Sequence, residues 1–570
     1  MSKKLNIKRI ILCVIIIALV IYLIVNLVLK LFKSSDSKAD VYVASITTSA
    51  KLYDDQYNES IDIIRGTKIT INKKKKTVYN ENEYYPVSYN GKEYFILKDN
   101  VSDDISSVAL EKKLYIRTSC TVYSDYERGS ILGLANKGEH YEIIGYDSVD
   151  QSGLVNLYKI KYNDSEGYIY RKYVVYDEAT SLLKYDTGTV HSDRGNKYGG
   201  GDAGDLDYYP VEKVKFENNK MPEKVYALYL NGSKEVISNI DKYINLAKDT
   251  KINAFVIDIK DNEAPRYASD IMKAYSKTNY ERASNSVESY SSAISKLRDA
   301  GFYVIGRITV FKDKYYALDN PETAIADTRT NNPFLYSNTY WPSPYNRKVW
   351  EFNVELAKEA VSLMHFNEIQ FDYVRFPDRT ISYERQGLMD FKNTYGESKA
   401  QAIQRFLMYA CDELHKLNVY VSADVFGESA HTYVTAYGQY WPAISNVVDV
   451  ISAMPYPDHF NQYEYGFKKS VWTMPYDILN YWGKNYAAKR QSEIPTPAIA
   501  RTWIQAYNVI RAQDKIAYNS PEIENEIKGL FDAGLTGGYM AWNSSSSLEK
   551  YNMQKDAYSK EYWYGKDNVK

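Results

Sequence analysis

The sequence predicts an α/β protein: a (β/α)8 barrel in the carboxyl-terminal part, preceded by two small all-β modules. Three observations carry this expectation. Past residue 222, eight strand-like runs alternate with helix-like ones, five of them clearly spaced. Between 47 and 178 there is no helical period, and short runs of Tyr, Val and Ile are broken by turn pairs such as Asn90-Gly91 and Asn163-Asp164. Finally, 570 residues exceed a single domain of about 100–200 residues.

At the amino terminus, Ile10 to Leu29 is an uncharged apolar run of twenty residues, long enough for the roughly 30 Å hydrocarbon layer of a bilayer. Lys3, Lys4, Lys8 and Arg9 precede it and only Lys30 and Lys33 follow closely. The positive-inside rule therefore predicts a cytoplasmic tail at 1–9, a transmembrane signal anchor at 10–32, and an extracellular remainder. A cleaved signal peptide is the alternative, although its apolar core is usually about 7–15 residues. The expected location is the cell membrane of a Gram-positive-like bacterium, single-pass, with most of the chain outside. A polar spacer is expected at 34–46.

Two β modules follow, at 47–104 and 113–178. Tyr84 to Val101 echoes Leu157 to Val174, with Tyr85, Val87 and Tyr89 matching Tyr158, Ile160 and Tyr162. This pattern resembles bacterial SH3-like wall modules, which implies peptidoglycan binding or the spacing of a catalytic domain. The stretch 179–222 is rich in Gly, Asp and Asn, contains Gly199-Gly200-Gly201, and reads as a linker.

The barrel is expected over 223–560. Its strands are predicted at Val225 to Leu230, Ile252 to Ile259, Tyr303 to Phe311, Glu368 to Pro377, Tyr420 to Gly427, Val448 to Pro457, Thr496 to Gln505 and Gly537 to Trp542. Helical spacing marks Ser238 to Lys248, Ser291 to Ala300, Arg347 to Met364, Lys399 to Leu417 and Glu522 to Ala533. A doubly wound open sheet is the runner-up, but the first strand lacks the Gly-rich phosphate loop expected of it.

Composition narrows the function. With 71 basic and 72 acidic residues, the net charge of -1 offers no footprint for nucleic acid. Hydrophobic residues at 45% exclude a mainly disordered chain. Three cysteines support neither a disulfide framework nor a paired CxxC zinc site. Tyrosine is abundant, 58 residues against 17 phenylalanines, and its flat face with a hydroxyl suits sugar-facing surfaces.

In such barrels chemistry sits at the carboxyl ends of the strands. Polar residues two apart collect there: Asp258 and Lys260, Arg307 and Thr309, Gln370 and Asp372, Ser422 and Asp424, then Arg501, Trp503 and Gln505. The spacing puts each set on one face, toward the barrel mouth.

Read in order, Asn253 to Asp261, Gly306-Arg307-Ile308, Phe311-Lys312-Asp313, Gln370 to Pro377 (QFDYVRFP), Ser422 to Gly427 (SADVFG) and Met454 to Pro457 (MPYP) resemble the bacterial putative glycosyl hydrolase domain family. The resemblance covers about Val225 to Trp542. It implies a TIM-barrel glycosidase of undefined substrate with Asp372 and Asp424 as catalytic carboxylates. Strand six departs by reading Ala-Met-Pro-Tyr-Pro.

Chemistry leads to the same pair. Glycoside hydrolysis usually needs one carboxylate that attacks and one carboxylic acid that protonates the leaving oxygen. Adjacent strands lie about 4.8 Å apart, which suits the roughly 5–5.5 Å separation of retaining enzymes. Asp372 is read as nucleophile, Asp424 as acid/base and Asp258 as a third carboxylate, with exchange of the first two roles open. Glu428 is a rival acid, against its plainer reading as an exposed loop glutamate. Lys260, Arg307 and Arg375 would hold and tune the carboxylates. Gln370 and Gln505 would touch substrate, and Tyr373, Tyr456, Trp503 and Trp542 would stack on sugars. His431 and His459 lack metal spacing, so no metal and no cofactor are expected.

The expected function is thus a membrane-anchored extracellular glycosidase acting on a cell-wall or surface polysaccharide, with peptidoglycan a candidate substrate. Two other classes stand beside it: a wall-binding scaffold that does not cut, and a Schiff-base lyase using Lys260.

Overall fold

The computed structural model describes residues 20–22, 38–45, 49–104, 111–149, 154–262, 264–510 and 514–565. The expected anchor at 10–32 lies outside the described residues except for Val20 to Tyr22. Among the described residues no helix is long and apolar enough to cross a membrane. Two units form, one of residues up to Ile116 with Gly138–Ser181, the other of Arg117–Lys137 with Leu182 onward.

The first unit is antiparallel β. Its amino-terminal sheet buries Val41, Val43, Leu52, Ile71, Val87 and Ile96. Part of the expected spacer belongs to this core: Lys38–Val43 is a strand paired with Lys68–Asn72, because its alternate residues Val41 and Val43 need cover. The repeat noted in the sequence is a repeated hairpin, Asn82–Tyr89 with Lys92–Leu97 and Val155–Tyr162 with Ser165–Tyr170. In the first copy both turn residues, Asn90 and Gly91, have positive φ, as a type I′ turn requires.

In the second unit eight parallel strands form a ring: β1 Val225–Leu230, β2 Ala254–Asp261, β3 Tyr303–Thr309, β4 Glu368–Asp372, β5 Tyr420–Phe426, β6 Val450–Met454, β7 Ile499–Gln505 and β8 Gly538–Trp542. Closure runs through β7. Ile499 and Ala500 pair with β6, Thr502–Gln505 pairs with β8, and Arg501 lies at the break. The barrel strands are almost wholly buried, Ile499 apart, and their outward residues are mostly apolar, so the inward ones decide the chemistry. Helices Arg347–Met364 and Lys399–His415 follow β3 and β4 much as the apolar spacing predicts.

The segment read as a linker is packed instead. Ala203, Leu206 and Tyr208 share a core with Ala400, Val434 and Tyr440, while Val214, Phe216 and Met221 lie against the barrel interior. The glycines mark close approach, not slack: a Cβ on Gly200 would stand 1.9 Å from the Thr435 carbonyl oxygen. The hairpin of Cys120–Asp125 and Ser130–Ala135, expected inside the second β module, also belongs to this unit. It sits on the two helices just named, where the Tyr409 hydroxyl donates to the Gly129 carbonyl at 2.8 Å and the Ile131 amide to Glu351 at 2.6 Å.

Candidate active site

Inward positions of β1 to β5 and β7 converge at the carboxyl end of the barrel. Register sets their height. Asp258 pairs with Arg307, Arg307 with Gln370, and Gln370 with Ser422. Two residues further on, Asp372 and Asp424 therefore stand level on adjacent strands.

Arg307 is the hub. Its Nη1 donates to Asp258 Oδ1 at 2.7 Å, its Nη2 and Nε donate to Asp372 Oδ2 at 2.5 and 3.1 Å, and its Nε stands 3.9 Å from Asp424 Oδ2. Asp261 Oδ1, 3.5 Å from Nη1, makes four carboxylates around one guanidinium, and Arg266 is a second cation 3.5 Å from Asp258 and 3.2 Å from Asp261; Asp258, Asp372 and Asp424 are the buried three. Each is fixed further by a different neighbour. The Tyr229 hydroxyl donates to Asp258 Oδ2 at 2.6 Å, the Trp503 indole to Asp424 Oδ1 at 2.8 Å, and the Tyr373 amide to Asp372 Oδ1 at 2.6 Å. Tyr373 has φ 49°, a left-handed conformation uncommon outside glycine, and it turns the chain sharply after Asp372.

Their environments differ. Burial pushes the Asp258 carboxyl up to about 6, against the pull of Arg307. Burial first, then the Asp372 charge, raises Asp424 well above the ordinary carboxylate range. Asp424 Oδ2 has no hydrogen-bond partner. Asp372 keeps 8% of its side chain exposed where Asp424 keeps none, so Asp372 is the one nearer the mouth.

Lys260 is not in this group. Pairing of β2 with β3 slips after Asp258, so that Lys260 instead of Ile259 stands opposite Ile308. This bulge breaks the two-residue alternation. Lys260 Nζ pairs with Asp313 at 2.8 Å and lies 5.1 Å from the Phe352 ring, on the outer helix Arg347–Met364.

Arg375 does not touch the three carboxylates either. It bonds the Phe376 carbonyl and Asp378, and its guanidinium is ringed by Trp341, Tyr373, Phe426 and Tyr437 at 4.6–5.9 Å. Gln370 lies beneath Asp372, donating to Ser452 Oγ at 3.3 Å with its Oε1 unpartnered. Gln505 serves the loop after β6, accepting from the Asp458 amide at 3.1 Å.

The expected sugar platforms are mostly core. Tyr456 and Trp503 are buried, and Trp542 tilts against Tyr229 at 4.2 Å with Arg307 at 5.1 Å. Apolar parity along their strands turned them inward, where a ring fills volume. Glu428 is exposed as its plainer reading has it, and it accepts from the Tyr433 and Tyr437 hydroxyls at 3.2 and 2.8 Å.

Sequence reasoning missed Tyr229, although its parity with Val225 and Ala227 on β1 marked it as inward. It also missed Trp341, which lies in a loop without periodicity; its buried Nε1 has no partner and its ring is 6.1 Å from Tyr373. Among the described residues no group of three or more His, Cys, Asp or Glu is arranged to hold a metal ion.

Residues 227–548 match the model of a family described as putative glycosyl hydrolase domain. No curated protein matches the chain. Among solved structures, a hypothetical protein from Ruminiclostridium thermocellum ATCC 27405 is 33% identical, covering 35% of this chain and 97% of its own, with a TM-score of 0.29. The PgaB (BpsB) glycoside hydrolase domain from Bordetella bronchiseptica is 14% identical over 60% of this chain and 99% of its own, with a TM-score of 0.41. A glycoside hydrolase family 20 β-N-acetylglucosaminidase is 11% identical over 60% and 70%, with a TM-score of 0.38.

Proposed function

The chain belongs to the putative glycosyl hydrolase domain family, whose model spans more than half of its length, and from that premise we propose that it hydrolyses a cell-wall or surface polysaccharide by a two-carboxylate mechanism while anchored to the outside of the cell membrane. The observation that carries the chemistry is the unequal pair. Asp372 is ion-paired to Arg307 at 2.5 Å, whereas Asp424 is buried beyond hydrogen-bond reach of that cation and its pKa is raised.

In this reading Asp372 attacks the anomeric carbon while Asp424 gives its proton to the leaving glycosidic oxygen. The C–O bond breaks and a glycosyl–Asp372 ester forms. Asp424, now a carboxylate, takes a proton from water; the hydroxide attacks the same carbon and expels Asp372. Level placement on adjacent strands, about 4.8 Å apart, supports this retaining course. Asp258 holds Arg307 from the other side and keeps it aimed. The apolar run at 10–29 supports the membrane anchor, and the repeated hairpins of the first unit support wall-facing modules.

The test is reducing-end release by the full chain from purified peptidoglycan and surface polysaccharides, beside Asp372→Asn and Asp424→Asn. Release that both substitutions abolish, with the product anomer retained, is the expected result. An inverted anomer removes Asp372 as nucleophile. A second reading, a barrel that grips glycan without cutting, draws on the complete burial of Asp424; tight wall pull-down without release would favour it.

A further inference from the structure

Aromatic side chains at the barrel mouth form a ridge that the two-carboxylate chemistry does not use. It is built from the carboxyl-end loops after β5 and β6 and from helix Pro475–Trp482 with the turn that follows. His431 lies against Tyr433 and, at 4.4 Å, against Tyr486. Tyr465 stacks on Tyr486 at 5.1 Å and on Tyr481 at 4.8 Å. Tyr465 is held with φ 56°, a conformation a tyrosine seldom adopts, and that conformation presents its ring to both neighbours.

The ridge is open to solvent where a core would be closed. Tyr481 is 38% exposed, and His431, Tyr433, Tyr465 and Tyr486 are each partly exposed. It is also continuous with the carboxylates. Tyr433 and Tyr437 both donate to Glu428, Tyr437 and Tyr373 both flank Arg375, and Tyr373 directly follows Asp372. Two carboxylates edge it, Glu428 bonded to Tyr433 and Tyr437, and Glu464 beside Tyr465 and His431. Flat rings edged by hydroxyls and carboxylates match the two sides of a pyranose, whose C–H faces stack while its hydroxyls bond at the rim.

We propose that this ridge binds successive sugar units of an extended glycan chain, so that the protein engages a polymer and not only a terminal residue. The proposal rests on the glycosidase reading and adds to it the surface along which the polymer is held.

Affinity electrophoresis of the full chain in mild detergent tests it, with glycol chitin, xylan, glucomannan or pullulan cast in the gel. The parent and Asp372→Asn should both be retarded by at least one polymer, and Tyr465→Ala/Tyr481→Ala should bind it about tenfold more weakly or worse. Tyr465→Phe/Tyr481→Phe keeps the stacking faces and should stay near the parent, a rescue that lost folding could not give. No retardation of the parent by any of the four polymers overturns the proposal. So does equal retardation of the alanine variant, or a dimer in sedimentation that the alanine variant loses while gel mobility stays unchanged. Retardation without any reducing-end release keeps the ridge and overturns hydrolysis; release with ridge-independent mobility does the reverse.

Discussion

Two buried ionic layers lie in the same barrel, a few residues apart on the same strands, and they are built differently. In the lower layer Glu368 of β4 meets Arg501 of β7 through two contacts of 2.8 and 3.0 Å, with the Tyr303 hydroxyl donating to the carboxylate at 3.0 Å. One charge answers one charge, and both side chains are fully buried. In the upper layer four carboxylates, Asp258, Asp261, Asp372 and Asp424, lie within 3.9 Å of Arg307, and Arg266 reaches only the first two. Burial is nearly the same, so burial does not separate structure from chemistry here; charge balance does. The lower pair is complete without a substrate. The upper group carries a surplus that is relieved by keeping a proton, and a held proton is what glycoside cleavage consumes.

The sharpest way to break this comparison is to take one carboxylate from each layer. Asp372→Asn should lower kcat by about 10^4-fold, as loss of a nucleophile does, yet hold its melting temperature. Glu368→Gln should leave the chemistry largely intact and cost about 3–5 kcal/mol of stability, because Arg501 stays buried without its counter-charge. Replacing both partners, Glu368→Met with Arg501→Met, should recover most of that loss. Calorimetry beside reducing-end assays reads both. If Asp372→Asn melts as low as Glu368→Gln, the upper layer is structural too.

These layers also show what the sequence made legible. The strands and the two long helices came from alternation and apolar spacing, which are local rules, whereas the choice of Asp372 and Asp424 came from the family resemblance and the need for two carboxylates. Lys260 was misplaced because one bulge after Asp258 breaks that alternation, and composition around Ile259 gives no sign of it. Residue type alone makes Trp503 a sugar platform, whereas its position two residues past Arg501 marks it as interior. The segment 179–222 read as linker because glycine serves both slack chain and close packing; only the Thr435 carbonyl against Gly200 tells them apart. The ridge of Tyr433, Tyr465, Tyr481 and Tyr486 comes from loops, where no period exists to predict what meets.

A smaller effect separates the layers by pH. Asp424 and Asp258 have higher pKa values folded than unfolded, Asp258 up to about 6, so ionising them works against the fold. The stability they contribute is complete below about pH 4 and is lost as pH rises through the folded values. Asp424→Asn should therefore be no less stable than the parent at pH 7, and the gap should close toward pH 4. The activity profile should have an alkaline limb, set by loss of the Asp424 proton, above the ordinary carboxylate range. In Asp424→Asn, kcat should fall about 10^2- to 10^4-fold and the residual rate should lose that alkaline limb.

The finest test moves one hydrogen bond in each layer. The Trp503 indole donates to Asp424 Oδ1, a bond that favours the carboxylate and holds its pKa down. Trp503→Phe keeps most of the ring and removes the donor, so Asp424 should hold its proton to higher pH. The alkaline limb should move up by about half to one pH unit, matching the roughly 0.5–1.5 kcal/mol of such a bond. In the lower layer Tyr303→Phe removes a similar donor from Glu368. There the same bond should appear only as about 1 kcal/mol of lost stability, with the pH profile unmoved. A limb that stays put in Trp503→Phe, or moves down, takes the acid role away from Asp424 and leaves Glu428, exposed and held by two tyrosines, as the carboxyl to replace next.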